Sequence, residues 1–165
     1  MSETKPFGNG AKFYNMTMVV AEDGRVLVLD RIKTDWPGLT FPGGRVEKGE
    51  SFAASAIREI YEETGLTVSS VIPCGTVHWA DKETGHRYIE FLYKATDFTG
   101  TLSEGTAEGR VFWMNPDELR ASDRLSPNFD LYLPVFLGKR PSFSLNGTEN
   151  LGTVFRSIFK QRIYL

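Results

Sequence analysis

Residues 43–66 read GGRVEKGESFAASAIREIYEETGL. Phe52, Ala53, Ala56, Ile57 and Ile60 recur at helical spacing and make one apolar face. Ser51 is placed to cap the N-terminus, and Gly65 to end the helix in the left-handed conformation, with Leu66 making the contact that follows such a stop. The spacing predicts a helix over 51–64. Glu59, Glu62 and Glu63 then stand at i, i+3 and i+4 on one side of it, beside the apolar face. Like charges so placed repel. The pattern therefore calls for a compensating cation or for a fully solvated face.

Outward from this helix the period changes. Residues 12–20, KFYNMTMVV, and 25–31, RVLVLDR, have strand character, and the turn signal Glu22-Asp23-Gly24 between them predicts a hairpin. A loop with Trp36, Pro37 and Gly38 leads to the bend Phe41-Pro42-Gly43-Gly44. After the helix, TVSSVIPC, GTVHWAD, HRYIEFLYKATD and GRVFWM read as strands. Pro116 opens a short helix with Asn115 as its cap. FDLYLPVFLGK, broken by Pro134, reads either as a helix starting near Asn128 or as an irregular packing segment. The economical fold is α+β, a mixed sheet with few helices, in one domain over 1–165. Residues 1–10 form a loose lead-in, and 141–165 a C-terminal extension whose pattern fixes no conformation.

The formal charge of −2 and the lack of a basic stripe argue against a nucleic-acid polymer as partner. Cys74 is the one cysteine, so no intrachain disulfide forms, which suits a reducing cytoplasm. It reads as a buried, inert thiol. The N-terminus lacks the pattern of a signal peptide, and no stretch approaches the ~18 apolar residues of a membrane span. A cytoplasmic protein is the expectation, and monomer and homodimer both remain open.

Carboxylates crowded on one ridge supply hard oxygen ligands, suited to Mg²⁺, Mn²⁺ or Ca²⁺. Arg58 is placed to pair with Glu62 or Glu50 without neutralising the whole cluster. The bland alternative is a solvated acidic face. The frame Gly44-x5-Glu50-x7-Arg58-Glu59-Ile60-x-Glu62-Glu63-x-Gly65-Leu66 is specific enough to weigh against it. It resembles the Nudix box, Gx5Ex7REUxEExGU with U aliphatic, at every specified position. The similarity extends to VLVLDR and FPGG before the box and to EGRVFWMNPDEL after it, and leaves the tail outside.

The resemblance implies an α/β/α sandwich around a mixed sheet. It also implies Mg²⁺-dependent (or Mn²⁺-dependent) hydrolysis of a nucleoside diphosphate linked to another group. Carried over residue by residue, Glu59, Glu62 and Glu63 become metal ligands, with the Gly44 carbonyl beside them. Glu50 and Arg58 orient the ligands. MutT-like members add a base outside the box. Glu104 and Glu108 are the candidates, with Glu108 favoured by its place before Trp113, Glu63 is a third, and all three also read as ordinary acids. Arg31 ends a strand near where the phosphates would lie, and Lys33 shares that status. Trp36, Phe41, His78, Trp79 and Tyr88 read either as a base pocket or as core. Asn128 reads as a base-reading residue or as an N-cap.

The favoured substrate is an oxidised nucleoside triphosphate such as 8-oxo-dGTP. ADP-ribose, another sugar nucleotide or a dinucleoside polyphosphate is the alternative, and Pro73 lies nearer to Gly65 than the ADP-ribose pattern expects. A catalytically silent nucleotide sensor is a third reading, against which stands the complete set of box glutamates.

Overall fold

The computed structural model describes residues 10–81, 83–139, 142–146 and 155–157. The expected lead-in lies almost wholly outside these residues. Of the expected C-terminal extension only two strands fall within them.

The main sheet is mixed and built around β1 (Ala11–Val19). On one side β1 pairs in parallel with β7 (Arg87–Ala95). On the other it pairs antiparallel with β4 (Gly43–Arg45). β6 (Ile72–Ala80) continues the sheet beyond β7, followed by β10 (Ser142–Asn146) and β11 (Phe155–Ser157). A second sheet joins β2 (Val26–Arg31) to β3 (Gly38–Thr40) and β9 (Gly109–Met114). A third pairs β5 (Leu66–Val68) with β8 (Phe98–Gly100).

Helix α1 (Phe52–Thr64) packs against β1, β4 and β5. The short α2 (Pro116–Ala121) follows β9, with Asn115 capping it. Helix α3 (Phe129–Phe136) packs against β6 and β7. Asn15 bonds to Ser55 of α1, whereas Tyr132 of α3 bonds to Glu90, the sheet partner of Tyr14. Successive strand residues face opposite ways, so α1 and α3 cover opposite faces of the main sheet. This is the expected α/β/α layering.

Two apolar clusters follow from that layering. One gathers Met16, Met18, Val28, Phe41, Leu92, Phe129 and Phe136; the other gathers Val19, Leu27, Ile60, Leu66 and Val68. β2 feeds both, because Val26 and Val28 face the first and Leu27 the second.

Two expectations are corrected. β1 and β2 do not make a hairpin sheet. The turn closes through the Ala21 amide donating to the Arg25 carbonyl, but only the isolated bridge Val20–Val26 joins the strands. Both edges of β1 are already taken by β4 and β7, so β2 diverges into the second sheet. The apolar face of α1 is also shifted. Its buried residues are Ser55, Ala56, Ile60, Glu63 and Thr64, while Phe52 and Ala53 are exposed and Ile57 is half-buried. Phe52 stacks on Phe91 at 4.2 Å between centroids, at the sheet surface.

The helix stops are as expected. Ser51 Oγ accepts from the Ala54 amide, and Gly65 adopts φ 75°, where any other residue type except Asn or Asp is strained. Segment 129–136 is helical, with Pro134 near its end, where the loss of one amide donor interrupts little. No helix among the described residues is long and apolar enough to cross a membrane.

Candidate active site

Helix α1 meets the loop before it through one guanidinium. Arg58 grips Glu50 bidentately, Nη2 donating to Oε1 at 2.7 Å and Nε to Oε2 at 3.1 Å. Its Nη1 donates to Glu59 at 2.8 Å and to Glu62 at 3.0 Å. Nη2 also reaches the Arg45 carbonyl at 3.1 Å. Such charge-assisted forks are strong and fix geometry. The Arg58 bonds, against a smaller burial effect, pull the Glu50 carboxyl down to about 2.

The repulsion expected on the ridge is therefore largely answered by Arg58. It serves three carboxylates, more than the sequence led us to expect. Among the described residues no three acidic groups converge as a ready ligand cage. Glu59 and Glu62 lean toward Arg58, and Glu63 turns the other way to accept the Gly43 amide at 2.9 Å. Glu62 is exposed. Glu63 is buried at 7% exposure, although the sequence placed it off the apolar face. It follows Glu62 around the helix and reaches under the Gly43-Gly44 strand.

Burial raises both inner carboxyls. Desolvation lifts Glu59 despite its Arg58 bond, and it pushes Glu63 up to about 8, with Glu59 and Glu108 adding to the effect and Gly43 and Arg31 opposing it. Two half-desolvated carboxylates beside an exposed third form an all-oxygen donor set whose charge a hard divalent cation would offset. The glycines make room for it. A methyl group on Gly44 would meet the Glu59 carboxylate at 2.5 Å, and one on Gly43 would collide with the Asn15 carbonyl across the β1–β4 pair. The residues fit a divalent metal in donor type, and holding one would require Glu59 and Glu62 to turn from Arg58 and Glu63 from the Gly43 amide.

Beside this ridge lies a cavity of about 330 Å³, edged by Gly43 and Gly44. Arg31 lines it, bonded to Asp35 at 2.8 Å and to the Trp36 carbonyl at 3.0 Å. Phe41 forms part of its wall but is chiefly core, meeting Phe129 and Phe136 edge-on at 5.0 Å. Trp79 and Tyr88 stack with planes 2° apart on adjacent strands, and Trp36 is fixed by its indole N–H donating to the Pro127 carbonyl.

Asn128 also lines the cavity, and its side chain makes no capping hydrogen bond despite its position before α3. It nevertheless occupies the N-cap position, in the left-handed conformation at φ 65° that Asn tolerates. His78 is a correction in the other direction. It is exposed and absent from the cavity wall, because strand alternation sends it to the face opposite Val77 and Trp79.

Of the two loop acids, Glu108 lies nearest the ridge. It pairs with Lys33 and, at 3.5 Å, with Arg31, and its charge reaches Glu63. Glu104 is exposed and makes no ion pair among the described residues. Cys74 is half-buried against the first core cluster, not fully buried as expected, and burial pushes its thiol up.

The sequence reading missed Glu90 and Tyr132. Glu90 is buried in the cavity wall and accepts a hydrogen bond from the Tyr132 hydroxyl at 3.0 Å. A lone acid inside the apolar strand RYIEFLY was the available signal, since such residues are rarely buried without a partner or a task.

Comparison with known proteins agrees with this geometry. The NUDIX domain family matches residues 15–134. The chain is similar to the MutT-like protein of Streptomyces ambofaciens, with 32% identity over 119 residues, covering 70% of each chain. It is also similar to the oxidized purine nucleoside triphosphate hydrolase of Danio rerio, 27% identical over 74% of this chain and 78% of that one. The MutT protein of Bacillus halodurans superposes with a TM-score of 0.69 at 25% identity, covering 83% of this chain and 90% of that one. Against two Bacillus subtilis relatives the match spans 65% of the relative's length. With the full box on one loop–helix–loop unit and a family match across most of the described fold, the chain belongs to the NUDIX domain family.

Proposed function

We propose that this protein is a divalent-metal-dependent hydrolase of nucleoside diphosphate linkages. Its substrate is an oxidised purine nucleoside triphosphate, cleaved to the nucleoside monophosphate and pyrophosphate. The observation that carries this reading is continuity: the acidic ridge and the aromatic-walled cavity share the Gly43-Gly44 edge. A phosphate chain on the ridge would thus place its base in the cavity. The substrate class rests on the names of the MutT-like and oxidized-purine relatives.

Glu59, Glu62, Glu63 and the Gly44 carbonyl would hold Mg²⁺ or Mn²⁺. When bound, the ion neutralises diphosphate oxygens and makes a water more acidic. The protein's own residues do the rest. Arg58 and Glu50 hold Glu59 and Glu62 in register. Arg31 stands between cavity and ridge, where a phosphate would meet it. A water attacks phosphorus, the bond to the pyrophosphate oxygen breaks, and the water's proton passes to Glu108. Lys33 and Arg31 hold that carboxylate in place. Trp79 and Tyr88 offer a flat aromatic wall to the base.

The test is a panel of 8-oxo-dGTP, dGTP, CTP and ADP-ribose, with Mg²⁺, Mn²⁺ or chelator, following pyrophosphate and phosphate. Metal-dependent release from 8-oxo-dGTP is the expected result. Turnover of ADP-ribose alone would move the substrate class, and no turnover of any nucleotide would overturn the reading. Glu62→Gln should lower turnover by roughly 100-fold or more while the melt is unchanged, because Glu62 is exposed. A near wild-type rate would contradict the metal assignment.

A further inference from the structure

Two carboxylates in the cavity wall take no part in the hydrolytic chemistry: Asp35, which is exposed and paired with Arg31, and Glu90, which is buried and has no cationic partner among the described residues. Glu90 sits on β7, opposite Tyr14 on β1 and Val77 on β6. β1 lies between it and β4, so two strand spacings, about 10 Å, separate it from the glycine edge of the ridge. That is the scale of the sugar and base of one nucleotide. Trp79 and Tyr88, stacked on each other across β6 and β7, stand two residues along the strands from Glu90. Its Oε2 accepts from Tyr132, and among the described residues no donor reaches Oε1. A buried carboxyl needs its oxygens satisfied, and among the described residues Tyr132 is the donor it has.

We infer that Glu90 selects the base of the nucleotide, accepting the ring N–H and the adjacent exocyclic amine of a guanine-type edge. This rests on the nucleotide-hydrolase reading above and specifies its substrate. Burial favours the protonated Glu90 carboxyl in the empty cavity, but two donors from a bound base favour the ionised form, which only accepts hydrogen bonds. Guanine presents two neighbouring donors on that edge. Adenine and cytosine present a donor beside an acceptor, which would set a ring lone pair against a carboxylate oxygen. Hypoxanthine keeps the ring N–H but lacks the amine. Oxidation at the 8-position leaves the guanine edge intact, so Glu90 reads guanine itself and not its damage. Tyr132 is the positioning residue: its hydroxyl donates to Oε2 and fixes the orientation of the carboxyl in the cavity wall.

Calorimetry with α,β-methylene analogues of GTP, ITP and ATP, in Mg²⁺, measures base selection without cleavage. Loss of one hydrogen bond to a charged group weakens binding by about ten- to a hundredfold. ITP and ATP analogues should therefore bind at least tenfold more weakly than the GTP analogue. Glu90→Gln should abolish that preference, with a cooperative melt confirming the fold; Tyr132→Phe should weaken binding of the GTP analogue and retain its rank.

Equal wild-type affinity for the GTP and ITP analogues overturns the inference without recourse to any variant. So does a preference that survives Glu90→Gln. Discrimination among analogues together with no turnover of natural triphosphates would leave Glu90's role standing and remove the hydrolase reading. Turnover without discrimination would do the reverse.

Discussion

At the scale of single residues, the two ends of the site differ in how charge is held. On the ridge, Arg58 spreads one guanidinium over Glu50, Glu59 and Glu62. Replacing it with Met should cost about 1–3 kcal/mol, since the partners are left with unanswered charge but keep some access to water. Chemical denaturation would show this as a lower midpoint at unchanged slope. In the cavity wall, burial pushes the Glu90 carboxyl up to about 7, against a smaller opposing effect of the Tyr132 bond. An acid raised on folding makes the native state bind more protons than the unfolded chain. Its contribution to stability therefore falls as pH rises from about 4.5 to about 7. Glu90→Gln carries no such proton, so its melting temperature relative to wild type should climb across that window. A pH-independent difference would show that Glu90 ionises on folding as it does in water. The box and its family were legible in the sequence, because a motif with fixed spacing needs no tertiary knowledge, but the burial of Glu63 and the reach of Arg58 were not. The sequence reading missed Glu90 because nothing in RYIEFLY states which face of the strand meets a cavity.

At the scale of elements, helix α1 was legible in extent and caps, and its burial was not. The apolar positions Phe52, Ala53, Ala56, Ile57 and Ile60 suggest one continuous face, yet the sheet covers only its later part. Ile60 is fully buried and Ile57 is not. Ile60→Ala should thus cost about 2–5 kcal/mol and Ile57→Ala distinctly less. Equal losses in paired denaturation curves would restore the face read from periodicity. The same limit explains the absent hairpin: pattern and turn chemistry describe neighbours in sequence, whereas β1 is claimed by β4 and β7 from elsewhere in the chain. Strand β4 carries its own requirement. Gly43→Ala would drive a methyl into the Asn15 carbonyl, so β4 must lift from β1 at a cost of about 1–3 kcal/mol. The Gly43 amide would then leave Glu63, and hydrolysis should fall more than stability does. Turnover measured well below the melting range separates the two effects.

Across the whole molecule, the layering was legible from the alternation of strands with a capped helix and from the resemblance of the box to its family. The pairing of sheets was not, since it depends on contacts distant in sequence. One consequence follows from β1. Its Asn15 faces α1 and pairs with Gly44, while its Tyr14 stands opposite Glu90. Three hydrogen-bonded strands, β4, β1 and β7, thus bridge the glycine edge and Glu90, with no loop between them. If the proposed nucleotide spans that width, the paired strands fix the distance between its two ends, and an analogue with a spacer inserted between sugar and base should bind more weakly than the parent even with guanine at its tip, as calorimetry would measure.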